Sequence, residues 1–188
     1  MAKLVSILGS VTPPGRLRAA LRSTLEVEGV EGELIDLADC RIAFADGRPP
    51  AALGDDTANV VARVGAAEFV ILASPVYRGT FTGALKNLLD HLPVEALAGK
   101  PVGIVAMGAT QHHYLGVDWH LRGVLAWFGA LVAPTSVYLA SSDFQDGAPS
   151  EEAQRDLASL TRALLMLSKI APSPGDSLGP RPLAAKRG

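Results

Sequence analysis

Three loop segments carry the side chains able to do chemistry. The first is Gly9-Ser10-Val11-Thr12-Pro13-Pro14-Gly15-Arg16. It lacks the glycine spacing of a dinucleotide fingerprint and the Lys-Ser/Thr ending of a P-loop. It does offer two hydroxyls, Ser10 and Thr12, one guanidinium, Arg16, and the unpaired amides of a helix start near Gly15. Such groups suit a terminal phosphate monoester of charge about −1.5 to −2. An ordinary strand-to-helix turn with a solvated arginine is the plain alternative.

The second segment runs Ser74-Pro75-Val76-Tyr77-Arg78-Gly79-Thr80-Phe81-Thr82-Gly83. Pro75 stiffens it, Gly79 lets the backbone turn or approach a ligand closely, and Tyr77 offers a flat amphipathic face. The third, Gly108-Ala109-Thr110-Gln111-His112-His113, is small and polar, with amides and hydroxyls free to line a heteroaromatic ring. A phosphate pocket beside two loops of this kind describes a mononucleotide site. A loop tyrosine is also a common packing residue, so the loops alone leave that alternative open.

The elements that must position these loops are legible. Leu4–Leu8 is a short apolar run, as for a strand buried on both faces. Leu17, Ala20, Leu21, Thr24 and Leu25 repeat at helical spacing, with Gly29 near the stop. Glu33–Leu37 reads as a weaker strand, 41–56 as a long Gly/Pro-rich surface loop, and Val60, Val61 and Val64 as a second helix. A strand follows at Phe69–Ala73. Phe81, Ala84, Leu85, Leu88, Leu89 and Leu92 then form the clearest helical stripe, closed by Pro93. Val102–Met107 reads as a fourth strand, Val117, Leu121, Val124, Leu125 and Phe128 as another helical stripe, and Ser136–Ala140 as a fifth strand. Pro134 places that last strand at an edge. Ser150 followed by Glu151 and Glu152 opens a final helix carrying Leu157, Leu160, Leu164 and Leu165. Five strands alternating with helices predict an α/β fold, a doubly wound parallel sheet with its binding site at the carboxyl edge. Residues 1–170 read as the ligand-binding domain, and the Pro/Gly-rich stretch 171–188 as a mobile tail.

Composition sets the class. The 188 residues are 48% hydrophobic and 19% charged, enough to bury a sizeable core. Lys+Arg 17 against Asp+Glu 19, a formal charge of −2, argues against nucleic-acid binding, which usually shows a basic stripe or a pI above about 9. Leu4–Leu8 is shorter than a signal-peptide core of about 7–15 residues, and nothing approaches a membrane span of about 20. One cysteine, Cys40, makes no intramolecular disulfide. A soluble cytoplasmic protein with no membrane or nucleic-acid partner is expected.

The remaining candidates read blandly. Adjacent His112 and His113 diverge and have no acidic or thiol partner at ligand spacing, so no metal site is expected. Cys40 has only Arg41 nearby to support a reactive thiol. His91 and His120 read as helix-surface or interface residues, and Lys86–Asp90 as an i,i+4 pair. Asp118-Trp119 ordinarily reads as a cap followed by a core aromatic. No Ser-His-Asp set is present, so no catalytic side chain is expected.

Leu8-Gly9-Ser10, the run from Ser74-Pro75-Val76-Tyr77-Arg78-Gly79 through Gly83-Ala84-Leu85-Lys86-Asn87 to Asp90, and Val117-Asp118-Trp119 resemble the NADPH-dependent FMN reductase family. The resemblance covers residues 1–165 and is nearest to the alkanesulfonate- and methanesulfonate-associated branch. It implies a flavodoxin-like sheet of order 2-1-3-4-5 and reduction of FMN by NADPH or NADH. It also implies reduced flavin supplied to a partner flavin-dependent monooxygenase, and a homodimer or homotetramer assembled through the Phe81–Leu92 and Val117–Phe128 helices. Carried onto this sequence, the implied flavin contacts are Ser10, Thr12, Gly15, Arg16, Pro75, Val76, Tyr77, Arg78, Gly108, Ala109, Thr110 and His113. Three positions depart from the branch. Gly15 stands where a serine is common, Ala109 where a second glycine is, and Trp119 where a smaller aromatic or histidine is. Hydride transfer to a flavin needs stacked rings and a dry site rather than a nucleophile, which agrees with the missing triad. Two alternatives share the fold: an FMN-bound quinone or azo reductase, and a flavodoxin-type electron carrier. The carrier fits less well, because a charge of −2 and a single site aromatic, Tyr77, differ from a strongly acidic chain that sandwiches its flavin.

Overall fold

A computed structural model describes residues 1–12, 15–171 and 179–180. Four strands, β1 (Ala2–Leu8), β2 (Val30–Asp36), β3 (Phe69–Pro75) and β4 (Pro101–Met107), pair in parallel in the order β2-β1-β3-β4. Leu4–Leu8 is bonded on one side to Gly32–Asp36 and on the other to Phe69–Ala73, so the apolar run lies inside the sheet as its pattern predicts.

The strand expected at Ser136–Ala140 sits at the edge beside β4, and a second short strand upstream of that range shares the edge with it. Leu131–Val132 (β5) pairs with Pro101–Val102, and Val137–Leu139 (β6) with Val105–Met107. Pro134 falls in the gap; it has no N–H to give a ladder, and the pairing breaks around it. The order 2-1-3-4-5 therefore holds, with its fifth position shared by two short strands.

Alternation along each strand sorts side chains to two faces. Val5, Ile7, Val70, Leu72, Val102 and Ile104 pack under α2 (Thr57–Ala66), α3 (Gly83–His91) and α4 (Gly116–Phe128). Leu4, Leu8, Phe69, Ile71 and Ala73 pack under α1 (Arg16–Arg22) and α5 (Glu151–Ile170). The helix ends follow local chemistry. The Ser150 hydroxyl accepts from the Ala153 amide to open α5, and Gly129, at φ 70°, closes α4 in the left-handed region. Helix α1 stops at Arg22, before the predicted Thr24 and Leu25. The Thr24 hydroxyl donates to the Leu21 carbonyl and bonds the buried Ser6 hydroxyl, which competes with continuing the helix.

The 41–56 stretch is a loop, as read, but it is pinned. The Ala43 carbonyl accepts from the Asn87 amide and meets His91 Nε2, both at 2.8 Å, and the Asp55 and Asp56 carboxylates accept from the amides of Ala43 and Arg41. His91 is thus a buried loop anchor rather than a surface residue. One element lies outside the sequence reading. A hairpin of β7 (Phe144–Gln145) and β8 (Ala148–Pro149) turns through Asp146 and Gly147 at φ 50° and 83°, the signature of an Asp-Gly two-residue turn. The tail assigned to 171–188 lies outside the described residues except for Ala171, Gly179 and Pro180. None of the described helices is long and apolar enough to cross a membrane.

Candidate active site

The loops that leave β1, β3, β4 and β6 share the carboxyl edge of the sheet. In the β1 loop the hydroxyls of Ser10 and Thr12 lie 2.8 Å apart, and the Thr12 amide donates to Ser10 Oγ at 3.3 Å. Ser10 is buried and Thr12 exposed, so the pair presents one fixed and one open hydroxyl, and the exposed Arg16 closes the same loop in sequence. Gly15 precedes α1 in extended geometry and Arg16 begins the helix. Pro13 and Pro14 lie outside the described residues.

The β3 loop is a rigid tight turn. The Tyr77 and Thr80 amides each donate to the other's carbonyl, at 2.8 and 3.1 Å. Arg78 and Gly79 carry φ of 52° and 81°, so both central residues occupy the left-handed region. The glycine adopts it freely, whereas a left-handed non-glycine costs of order 1–2 kcal/mol. The turn leaves Tyr77 46% exposed.

Thr82 welds this loop to the first. Its hydroxyl caps α3 by accepting from the Leu85 amide at 3.1 Å and donates to the Gly9 carbonyl, while its own amide donates to the buried Ser74 hydroxyl at 3.0 Å. The Gly9 amide donates a hydrogen bond to the Ala73 carbonyl at 2.8 Å. The β4 loop is tied in turn. The Val76 amide donates to the Met107 carbonyl at 2.8 Å, and a Cβ on Gly116 would stand 2.7 Å from the Gly79 carbonyl oxygen, so α4 starts against the β3 turn.

Tyr138 of β6 holds the far side of the β4 loop. Its hydroxyl donates to the Thr110 carbonyl at 2.6 Å and fills the space next to Gly108. Burial first, and Asp143 second, push that hydroxyl above its ordinary pKa. A folded pKa above the unfolded one keeps the contribution intact below the unfolded value and loses it as pH rises through the folded value. The anchor therefore persists through neutral and mildly alkaline pH. Tyr138→Phe is expected to cost about 0.5–1.5 kcal/mol by leaving the Thr110 carbonyl short of a donor. Thermal unfolding reads the loss, which should be the same at pH 6 and pH 9.

Of the residues predicted for the site, Ser10, Thr12, Gly15 and Arg16 share the first loop, Pro75, Val76, Tyr77 and Arg78 the second, and Gly108, Ala109, Thr110 and His113 the third. His113 is exposed in a short 3-10 turn, Gln111–His113. Sequence reasoning passed over Thr82 as a cap, although a threonine three residues before a stripe residue, Leu85, is a cap signal. It also passed over Tyr138, whose reach across 28 residues has no local signature. Trp119 departs from the expected core aromatic: it is 74% exposed, two positions off the Val117–Leu121–Leu125 stripe. Asp118 is buried, paired to Arg122 at 2.9 Å, with Oδ1 lacking a hydrogen-bond partner among the described residues. Among the described residues no group of three or more His, Cys, Asp or Glu is placed to hold a metal ion. A separate groove lies between α3 and α4, lined by Leu89, Leu92, Val124 and Trp127, away from these loops.

Comparison with known proteins bears on the family and the fold. Residues 2–145 match the family model described as NADPH-dependent FMN reductase. The chain is 38% identical over 117 residues to an NAD(P)H-dependent FAD/FMN reductase of Geobacillus thermodenitrificans, an alignment spanning 62% of this chain and 63% of that relative. It is 30% identical over 182 residues to the NADH-dependent FMN reductase SfnF of Pseudomonas fluorescens, 95% of each chain. The apo structure of an NADH:FMN oxidoreductase, EmoB, superposes with a TM-score of 0.74 at 26% identity, covering 100% of both chains.

Proposed function

This chain belongs to the NADPH-dependent FMN reductase family, and from that premise we propose that it reduces FMN with NAD(P)H and releases the reduced flavin. The supporting observation is that three loops at one sheet edge are welded together through Thr82, Gly9, Gly116 and Tyr138. In this reading Ser10, Thr12, Arg16 and the Gly15 amide hold the phosphate. Pro75, Val76, Tyr77 and Arg78 line one border of the ring, and Gly108, Ala109, Thr110 and His113 the other. The flavin supplies the redox chemistry, accepting a hydride from the nicotinamide. The chain's part is to bind, orient and keep water from the reacting face. Flat groups suit that part: the turn that carries Tyr77 is fixed by two backbone bonds, and the Tyr77 side chain is exposed.

Release is favoured by how little holds the ligand. The phosphate loop offers one cation, Arg16, and two hydroxyls, Ser10 and Thr12, and the ring is faced by one aromatic, Tyr77, a modest set that suits a flavin that comes and goes as a substrate. A partner flavin-dependent monooxygenase is the proposed acceptor, in the cytoplasm, and residues 1–170 the FMN-binding domain. Exposed Trp119 and Trp127, the α3–α4 groove and the unpartnered Asp118 oxygen support a homodimer or homotetramer through α3 and α4.

NADPH oxidation by flavin-free protein, measured against added FMN, tests the proposal. Saturable dependence on FMN with reduced flavin recovered in a filtrate is the expected result. NADPH consumption only with a quinone or azo dye, on protein that retains its FMN through filtration, would instead support the fixed-flavin reductase. In the same assay Tyr77→Ala should raise the FMN KM several-fold, since aromatic contacts are worth about 0.5–1.5 kcal/mol beyond burial.

A further inference from the structure

Arg16 is not a loose surface arginine. Its guanidinium carbon lies 5.5 Å from the centroid of the Phe144 ring. Its terminal nitrogens reach the Ser141 carbonyl at 3.5 Å and the Ser141 hydroxyl at 3.3 Å. All three contacts come from the segment after β6, about 125 residues further along the chain.

That segment is itself fixed. The Asp143 carboxylate accepts from the Ala140 amide at 2.7 Å, and the Ser150 amide donates to the Asp143 carbonyl at 2.8 Å. The β7–β8 hairpin closes on the Asp146-Gly147 turn, and the Gln154 side chain of α5 donates to the Pro149 carbonyl at 2.9 Å. Phe144 is half-buried against the α1–α5 layer of the core.

The contacts to Arg16 are of a kind that aims rather than consumes. Both Ser141 bonds are long for N–H···O, so they are weak. A ring face attracts a guanidinium without taking up any of its N–H donors, and the guanidinium carries five of those. A cation held this way has lost part of its rotamer freedom before a ligand arrives and keeps donors to offer it. We propose that Ser141 and Phe144 are positioning residues for Arg16. They present its guanidinium to the flavin phosphate and so set the preference for FMN over riboflavin. This rests on the phosphate lying against Arg16, as under Proposed function; neither Ser141 nor Phe144 touches the flavin.

The test is equilibrium binding of FMN and of riboflavin to flavin-free protein, followed by flavin fluorescence, for wild type, F144L, F144Y, S141A, F144L/S141A and R16A. F144L keeps bulk and removes the ring face, so FMN binding should weaken about two- to five-fold with riboflavin binding unchanged. F144Y, which keeps the ring, should bind FMN like wild type, and the double variant should lose about tenfold if the two contacts act separately. Equal losses for both flavins would reduce the hairpin to a structural brace and overturn the inference. So would unchanged or tighter FMN binding in S141A and F144L, the latter meaning that Ser141 competes with the phosphate. R16A separates the two levels. If R16A lowers FMN binding selectively while the hairpin variants do not, the inference fails and the phosphate reading stands. If R16A leaves the FMN-to-riboflavin ratio at its wild-type value, the phosphate reading fails with it.

Discussion

Arg16→Ala is expected to weaken FMN binding by about 1.5–3 kcal/mol, roughly ten- to a hundred-fold, while leaving riboflavin binding near wild type. That range is the one for a hydrogen bond to a charged group, and Arg16 begins α1 at the end of the loop that carries the Ser10 and Thr12 hydroxyls. Its exposure means that salt screens part of the effect, so the deficit should shrink between low ionic strength and about 0.5 M salt. Among the described residues the variant loses the long bonds to Ser141 and the Phe144 ring face and no buried contact, so its unfolding temperature should hardly move. Isothermal titration with both flavins reads the difference. Equal affinities for FMN in variant and wild type would remove the phosphate from this loop.

Gly9→Ala is expected to cause the largest combined loss. A Cβ at this position would stand 2.6 Å from Leu85 Cβ and 3.1 Å from the Ala73 carbonyl oxygen. Neither is the free end of a flexible side chain, so the loop or α3 must move. Overpacking of this kind costs about 1–3 kcal/mol, and here it also strains the Thr82 and Ala73 bonds that weld the first two loops. Both consequences should appear together, as an unfolding temperature lower by several degrees and an FMN KM raised severalfold. Gly83→Ala is the matched control. A Cβ there meets nothing within 4 Å, and alanine is the better helix former, so neutral to slightly raised stability is expected. Similar behaviour of the two variants would contradict the welding argument.

What the sequence reveals and what it hides follow from the range of the interactions involved. Leu4–Leu8, Phe69–Ala73 and Val102–Met107 are continuous apolar runs, and such runs have few uses in an alternating α/β chain besides buried parallel strands. The loops that follow them must then share an edge, so the candidate residues of the three loops are grouped by the strand pattern alone. The edge strand was legible in place but not in form, because a proline permits an edge without saying whether the ladder breaks at it. The β7–β8 hairpin was missed because its strands are two residues long, too short for any periodicity, though Asp146-Gly147 was a usable turn signal. Missing it also hid the partners of Arg16, since 125 residues separate them. His91 and Tyr138 make the same point. Each reads locally as an ordinary helix or strand residue, and each earns its place by one tertiary bond, to Ala43 and to Thr110. Trp119 was a different error, because the helical stripe already placed it off the buried face.

The position of the phosphorus atom in a crystal structure of the FMN complex tests the central claim most directly. The account predicts it within hydrogen-bonding reach of the Ser10 and Thr12 hydroxyls and the Arg16 guanidinium, with the ring between the Tyr77–Thr80 turn and the Gly108–His113 loop. A phosphate bound elsewhere on the sheet edge, or a flavin lodged in the α3–α4 groove beside Trp127, would contradict it.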